Sequence, residues 1–138
     1  MPLGGPFIVG LLLSLATPAV LACGYCIEDR IAATYDFAVA SRAFELRHEV
    51  AFFLIEGAAN AKHPSADAIA RMLKGTKGID RNSLRISAEP LALSFAFDPA
   101  GTSLGAIVNA ADVKLGAEGL TLLLLRVINH TNYAKPAN

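Results

Sequence analysis

The chain has no tryptophan, only two cysteines and three histidines in 138 residues, and its 12 basic side chains are balanced by 12 acidic ones. Each scarcity excludes something. A net charge of zero with no basic block leaves no means of neutralising many phosphates, which argues against general nucleic-acid binding. Gly-rich phosphate loops are missing, and no Ser, His and Asp constellation is defensible from spacing. The carboxylates are scattered over helix starts and solvated faces, without the pairing that hydrolysis requires. Charged residues make up 17% of the chain against 54% hydrophobic ones, a balance that buries enough apolar surface to exclude disorder. The length fits one domain with a real core.

Charge is missing altogether from residues 1–22, where an apolar stretch over 7–15 precedes Ala16-Thr17-Pro18-Ala19-Val20-Leu21-Ala22. The stretch is too short for a comfortable span of about 20 residues, and its small-residue end suits a leader peptidase, so 1–22 reads as a secretory signal. The localisation expected is periplasmic or secreted. Two other readings stay open: an uncleaved anchor, because the leader has no Lys or Arg, and a lipidated Cys23, because Leu21-Ala22-Cys23 approaches a lipoprotein signal. Only these two would bring a membrane into play.

Beyond the leader, Ile27, Ile31, Tyr35, Ala38 and Val39 recur at helical spacing and predict one amphipathic helix over about 27–44. Residues 48–55 are apolar on both faces, as expected of a central, doubly covered strand. A loop over 57–64 follows, then a helix capped by Ser65 and ended by Gly75 and Gly78, then a hairpin of strands 83–89 and 91–97 pivoting at Glu89-Pro90. A helix capped by Thr102 or Ser103 and a last strand over 120–128 complete the chain. The order past the first helix is β-α-β-β-α-β, the split ferredoxin-like pattern. The fold class expected is therefore α+β, a ferredoxin-like sandwich over 48–130 with an extra N-terminal helix in 23–47 covering the other sheet face, and a polar tail over 131–138. On the third strand Leu91, Leu93, Phe95 and Phe97 share one side, and Ala92, Ser94 and Ala96 the other.

The one chemically loaded motif is Cys23-Gly24-Tyr25-Cys26, which contains both cysteines. Two thiols three apart at the mouth of a helix can share a soft metal ion, exchange disulfides, or close into an inert structural disulfide. His48, His63 and His130 are the other possible ligands. In a sheet of order 4-1-3-2, His48 and His130 fall at one end and His63 at the other.

Gly78-Ile79-Asp80, the strand over 84–88, and Ser94-Phe95-Ala96-Phe97-Asp98-Pro99 followed by Thr102-Ser103 resemble the second half of heavy-metal-associated domains, small copper and mercury carriers. The resemblance covers roughly 48–128 and implies a ferredoxin-like fold, a cargo of Cu(I) or another soft metal ion, and a metal-transfer protein as partner. Those domains carry Cys-x-x-Cys in the loop after the first strand. The matching loop here, 56–63, has no cysteine, so its metal binding does not carry over, and the thiols stand at the mature N-terminus instead. Cys-Gly-Tyr-Cys is also similar to the active site of bacterial periplasmic disulfide isomerases, but a thioredoxin fold needs a strand leading into the motif, and here that segment is the leader.

A first helix of about 18 residues, roughly 27 Å long, and a first strand of about 9 residues, roughly 30 Å, match in length. A turn near 45–47 would then return Cys23 and Cys26 to the loop over 57–63. His63 becomes the expected third metal ligand.

N-terminal sequencing of secreted material is expected to start at Cys23. Membrane-bound protein starting at Met1 would contradict the leader.

Overall fold

The structure is a computed structural model and describes residues 26–57 and 63–133. The expected signal segment, Cys23, most of the loop over 57–63 and the end of the polar tail lie outside the described residues. Those described form four α-helices and one four-stranded antiparallel sheet, an α+β arrangement. The elements are α1 (Ile27–Thr34), α2 (Phe37–Glu45), β1 (Glu49–Gly57), α3 (Ala66–Leu73), β2 (Arg85–Ala88), β3 (Leu91–Phe97), α4 (Leu104–Gly116) and β4 (Leu120–Ile128). The sheet order is β2-β3-β1-β4.

The single helix expected over 27–44 is two helices. Tyr35 and Asp36 are extended, and the Asp36 carboxylate accepts from the Ala38 and Val39 amides at 2.9 and 3.2 Å, capping α2. Helical periodicity continues through the break because both helices lay an apolar side on the same sheet face. A cap decides the boundary. At its other end α2 closes on Arg47, whose φ of 61° is left-handed, while the His48 amide donates to the Ala43 carbonyl at 2.8 Å and the Arg47 amide to that of Phe44 at 3.1 Å. This is the Schellman arrangement with arginine where glycine is usual, and it turns the chain straight into β1.

β1 is buried on both faces. Ala51, Phe53 and Ile55 face α3 and α4 in a core with Ile69, Leu73, Leu93, Phe95, Phe97, Ile107 and Leu115. Val50 and Phe52 face the other way, packing with Ile31, Ala43 and Ala96. β3 divides as its alternation requires: Phe95 is 0% exposed in the large core, where it stacks on Phe53 at 5.4 Å, and Ala92, Ser94 and Ala96 allow α1 to approach closely. The Ser94 hydroxyl donates to the Thr34 carbonyl at 2.9 Å, satisfying one of the orphan acceptors at the end of α1.

Between α3 and β2 the chain crosses against α4. Gly78 has φ 96°, and a Cβ there would lie 2.6 Å from Ile107 Cγ1, so both conformation and space demand glycine. Gly78 thus serves the crossing, five residues beyond the end of α3, where a helix terminator was expected. Ser83 then closes the open edge of β3. Buried at 3% exposure, its hydroxyl donates to the Asp80 carbonyl at 2.6 Å and accepts from the Ala96 amide at 2.7 Å.

The outer strand β4 departs from the two-sided cover its apolar sequence suggests. Leu120 and Leu122 are buried, whereas Leu123 and Leu124 are 47% and 48% exposed. Arg126 pairs with Phe52 and Leu124 with Phe53, so Leu125 is an extra, bulged residue that shifts the alternation in mid-strand.

Phe95→Ala is expected to cost about 3 to 5 kcal/mol, and Ser83→Ala about 1 to 3 kcal/mol through the unpaired Ala96 amide. Urea unfolding of the two variants checks both.

Candidate functional site

Cys26 stands at the N-cap of α1, exposed, with no disulfide among the described residues. Its side chain does not cap the backbone. The thiol instead donates to Asp29 Oδ2 at 3.1 Å. Glu28 and Asp29 occupy the first turn, where carboxylates suit the positive end of the helix dipole.

Glu28 sets the position of this turn. Its carboxylate takes two hydrogen bonds from Arg126, at 2.5 and 3.2 Å, while Thr34 at the other end of α1 is held by Ser94 on β3. The helix therefore crosses the sheet from the β4 edge to β3. It does not run back along β1, as a continuous 18-residue helix would have done. Arg126 is six residues along β4 from Leu120, the residue that faces Gly57. His63 leads into α3, which packs on the opposite sheet face from α1. Cys26 and His63 thus precede helices that lie on opposite faces of the sheet. Among the described residues no three His, Cys, Asp or Glu side chains are grouped as a metal site.

His48 and His130 do fall at one end of the sheet, since Val50 pairs with Ile128. His130 Nε2 lies 3.1 Å from Arg47 Nη1, and His48 Nδ1 is buried without a hydrogen-bond partner among the described residues.

Beside the thiol-bearing turn lies a cleft of about 670 Å³ whose walls include Glu28, Ile31, Tyr35, Arg126 and Tyr133. Tyr35 stacks between Phe52 and Tyr133, Phe44 leans on Tyr133, and the two tyrosine hydroxyls share a hydrogen bond. Burial first, then that bond and the nearby Asp36 charge, push the Tyr35 hydroxyl up to about 12. Sequence reading missed this cluster because Tyr35 and Tyr133 are separated by 98 positions and belong to no motif. The ion pair of Glu28 with Arg126 was hidden for the same reason.

Three groups give a pH dependence of known sign. The Arg126 hydrogen bonds hold Glu28 below its ordinary 4.5, and the Val39 amide, then Arg85 at 3.0 Å, hold Asp36 below its ordinary 3.8. Lowered carboxylates stabilise the fold at pH values above their unfolded values, and this is lost as pH falls through the folded ones. Tyr35 is raised, so its contribution is present below its unfolded value near 10 and is lost as pH rises from there towards about 12. The thermal midpoint should stay level through neutrality, fall below about pH 4 and fall again above about pH 10. Glu28→Gln with Asp36→Asn should flatten the acid limb, and Tyr35→Phe the alkaline one, in melts followed by circular dichroism.

Comparison of the chain with protein-family models, with curated proteins and with solved structures finds no match.

Proposed function

We propose that this protein is a soft-metal carrier of an oxidising compartment outside the cytoplasm, taking Cu(I) or an ion of similar softness as cargo on Cys23 and Cys26 and passing it to a partner protein. The observation that carries this reading is the place of Cys26: an exposed thiol at the head of a helix, which donates to Asp29 and does not cap the backbone. Thiolates select soft ions over the harder ones that carboxylates prefer. Exposure is also what transfer needs, since an incoming thiolate must reach the ion before the first pair lets go.

The finer description of the fold belongs to the same proposal. We read the sheet and the helices α3 and α4 as a ferredoxin-like sandwich related to the heavy-metal-associated carriers. The element order β1-α3-β2-β3-α4-β4 and the sheet order β2-β3-β1-β4 support it. The helices α1 and α2 then form an addition that carries Cys26 to the second face of the sheet.

The same exposed, helix-leading thiol also suits thiol–disulfide exchange, with Cys23 and Cys26 as attacking and resolving groups. One experiment separates the readings. Native mass spectrometry of the reduced mature protein is expected to show one Cu(I) per chain, lost in Cys26→Ser and retained in His63→Ala, whose side chain leads into a helix on the other face. Undiminished Cu(I) binding by Cys26→Ser overturns the carrier. No Cu(I) uptake, together with a reduction potential near those of known disulfide catalysts, about −120 to −270 mV, assigns the exchange reaction instead.

A further inference from the structure

Five of the 12 basic side chains lie between positions 71 and 85, at Arg71, Lys74, Lys77, Arg81 and Arg85, with Asp80 the only acidic residue among them. Spaced three and four apart, they form no run that reads as a basic block. Three of them converge in space. Arg71 and Lys74 from the end of α3, and Arg81 from the segment before β2, stand around a cavity of about 340 Å³ floored by Leu73, Ile79 and Leu84. Leu73 is buried, Ile79 and Leu84 are half-buried against the main core, and the three cationic side chains are exposed at the rim.

The wall contains no carboxylate. Among the described residues Arg71, Lys74 and Arg81 have no ion-pair partner, in contrast to Arg85, which is held by Asp36, and Arg126, which is held by Glu28. An apolar floor under three unpaired cations is complementary to one kind of molecule. We propose that this cavity binds a small amphipathic anion, with an aliphatic or aromatic body on Leu73, Ile79 and Leu84 and a carboxylate-type head group on Arg71, Lys74 and Arg81. Its volume falls at the small end of ligand cavities, about 300 to 1,000 Å³, which favours a small molecule over a peptide. Guanidinium groups grip a carboxylate by two parallel hydrogen bonds, so Arg71 and Arg81 set the orientation of the head group.

The site opens on the α3 side of the sheet and Cys26 lies on the α1 side, so the inference is independent of the metal-carrier reading. The probes are octanoate and its uncharged analogue octanamide, titrated into the isotope-labelled full chain at low salt and followed by amide chemical shifts. Octanoate is expected to shift residues 70–75 and 79–84, to bind at least about tenfold more tightly than octanamide, and to weaken as salt is added. Arg71→Gln with Arg81→Gln should abolish that preference while leaving the thermal midpoint near that of the parent. Equal affinity for the two probes, shifts centred elsewhere, or an unchanged preference in the double variant would overturn the proposal. A short oligoglutamate that binds in the same place more tightly than octanoate would also overturn it and assign the surface to acidic peptides.

Discussion

Phe52 and Phe53 are neighbours on β1, and an extended strand sends neighbouring side chains to opposite faces. Both are fully buried, Phe53 stacked on Phe95 and Phe52 on Tyr35. Two large rings back to back commit the centre of the sheet to being covered twice. The helices α3 and α4 supply one cover and α1 and α2 the other, so the N-terminal helices complete the core on the second face. The position of the thiol follows from this, because Cys26 begins the helix whose Ile31 packs with Phe52.

Polar groups fix where those covers sit. Apolar packing is non-directional, and a helix could slide over a face of small residues such as Ala92 and Ala96 at little cost. Ser94 in the middle of that stripe and Arg126 on the neighbouring edge hold the two ends of α1 in one place, through the Thr34 carbonyl and the Glu28 carboxylate. The first of these bonds is buried and the second exposed to solvent. The buried one therefore contributes the constant share of the anchoring, and the exposed one a share that salt screens.

Much of this architecture was legible because it is written in short-range patterns. The two-sided apolar run of β1, the large and small alternation of β3 and the caps Ser65 and Ser103 each depend on residues a few positions apart, and the structure has them where the patterns put them. What could not be read depends on a choice between equivalent local signals or on distant partners. Asp36 sits in a periodic apolar pattern that suits one helix or two, and only its own hydrogen bonds decide between them. The bulge at Leu125 is invisible in a run of four leucines from 122 to 125, where a slip of one position changes nothing in the composition. The candidate site suffered most. Its geometry was expected from the length of one helix, and that helix is two, α1 and α2.

The bulge in β4 has a further physical effect. β4 is an outer strand, and outer strands are usually protected against pairing with other chains by a lysine, a proline or an inward charge. Arg126 is the only charged residue on β4, and its guanidinium is drawn over the face of the sheet to Glu28, leaving Leu123 and Leu124 at the rim without a charged neighbour on the strand. The local twist that a bulge adds then joins the Asp112 carboxylate, which takes the Leu122 amide at 2.9 Å, as protection against edge-to-edge growth of the sheet. Edge protection of the folded protein therefore combines a backbone irregularity, indifferent to salt, with one covering carboxylate, whose effect salt screens.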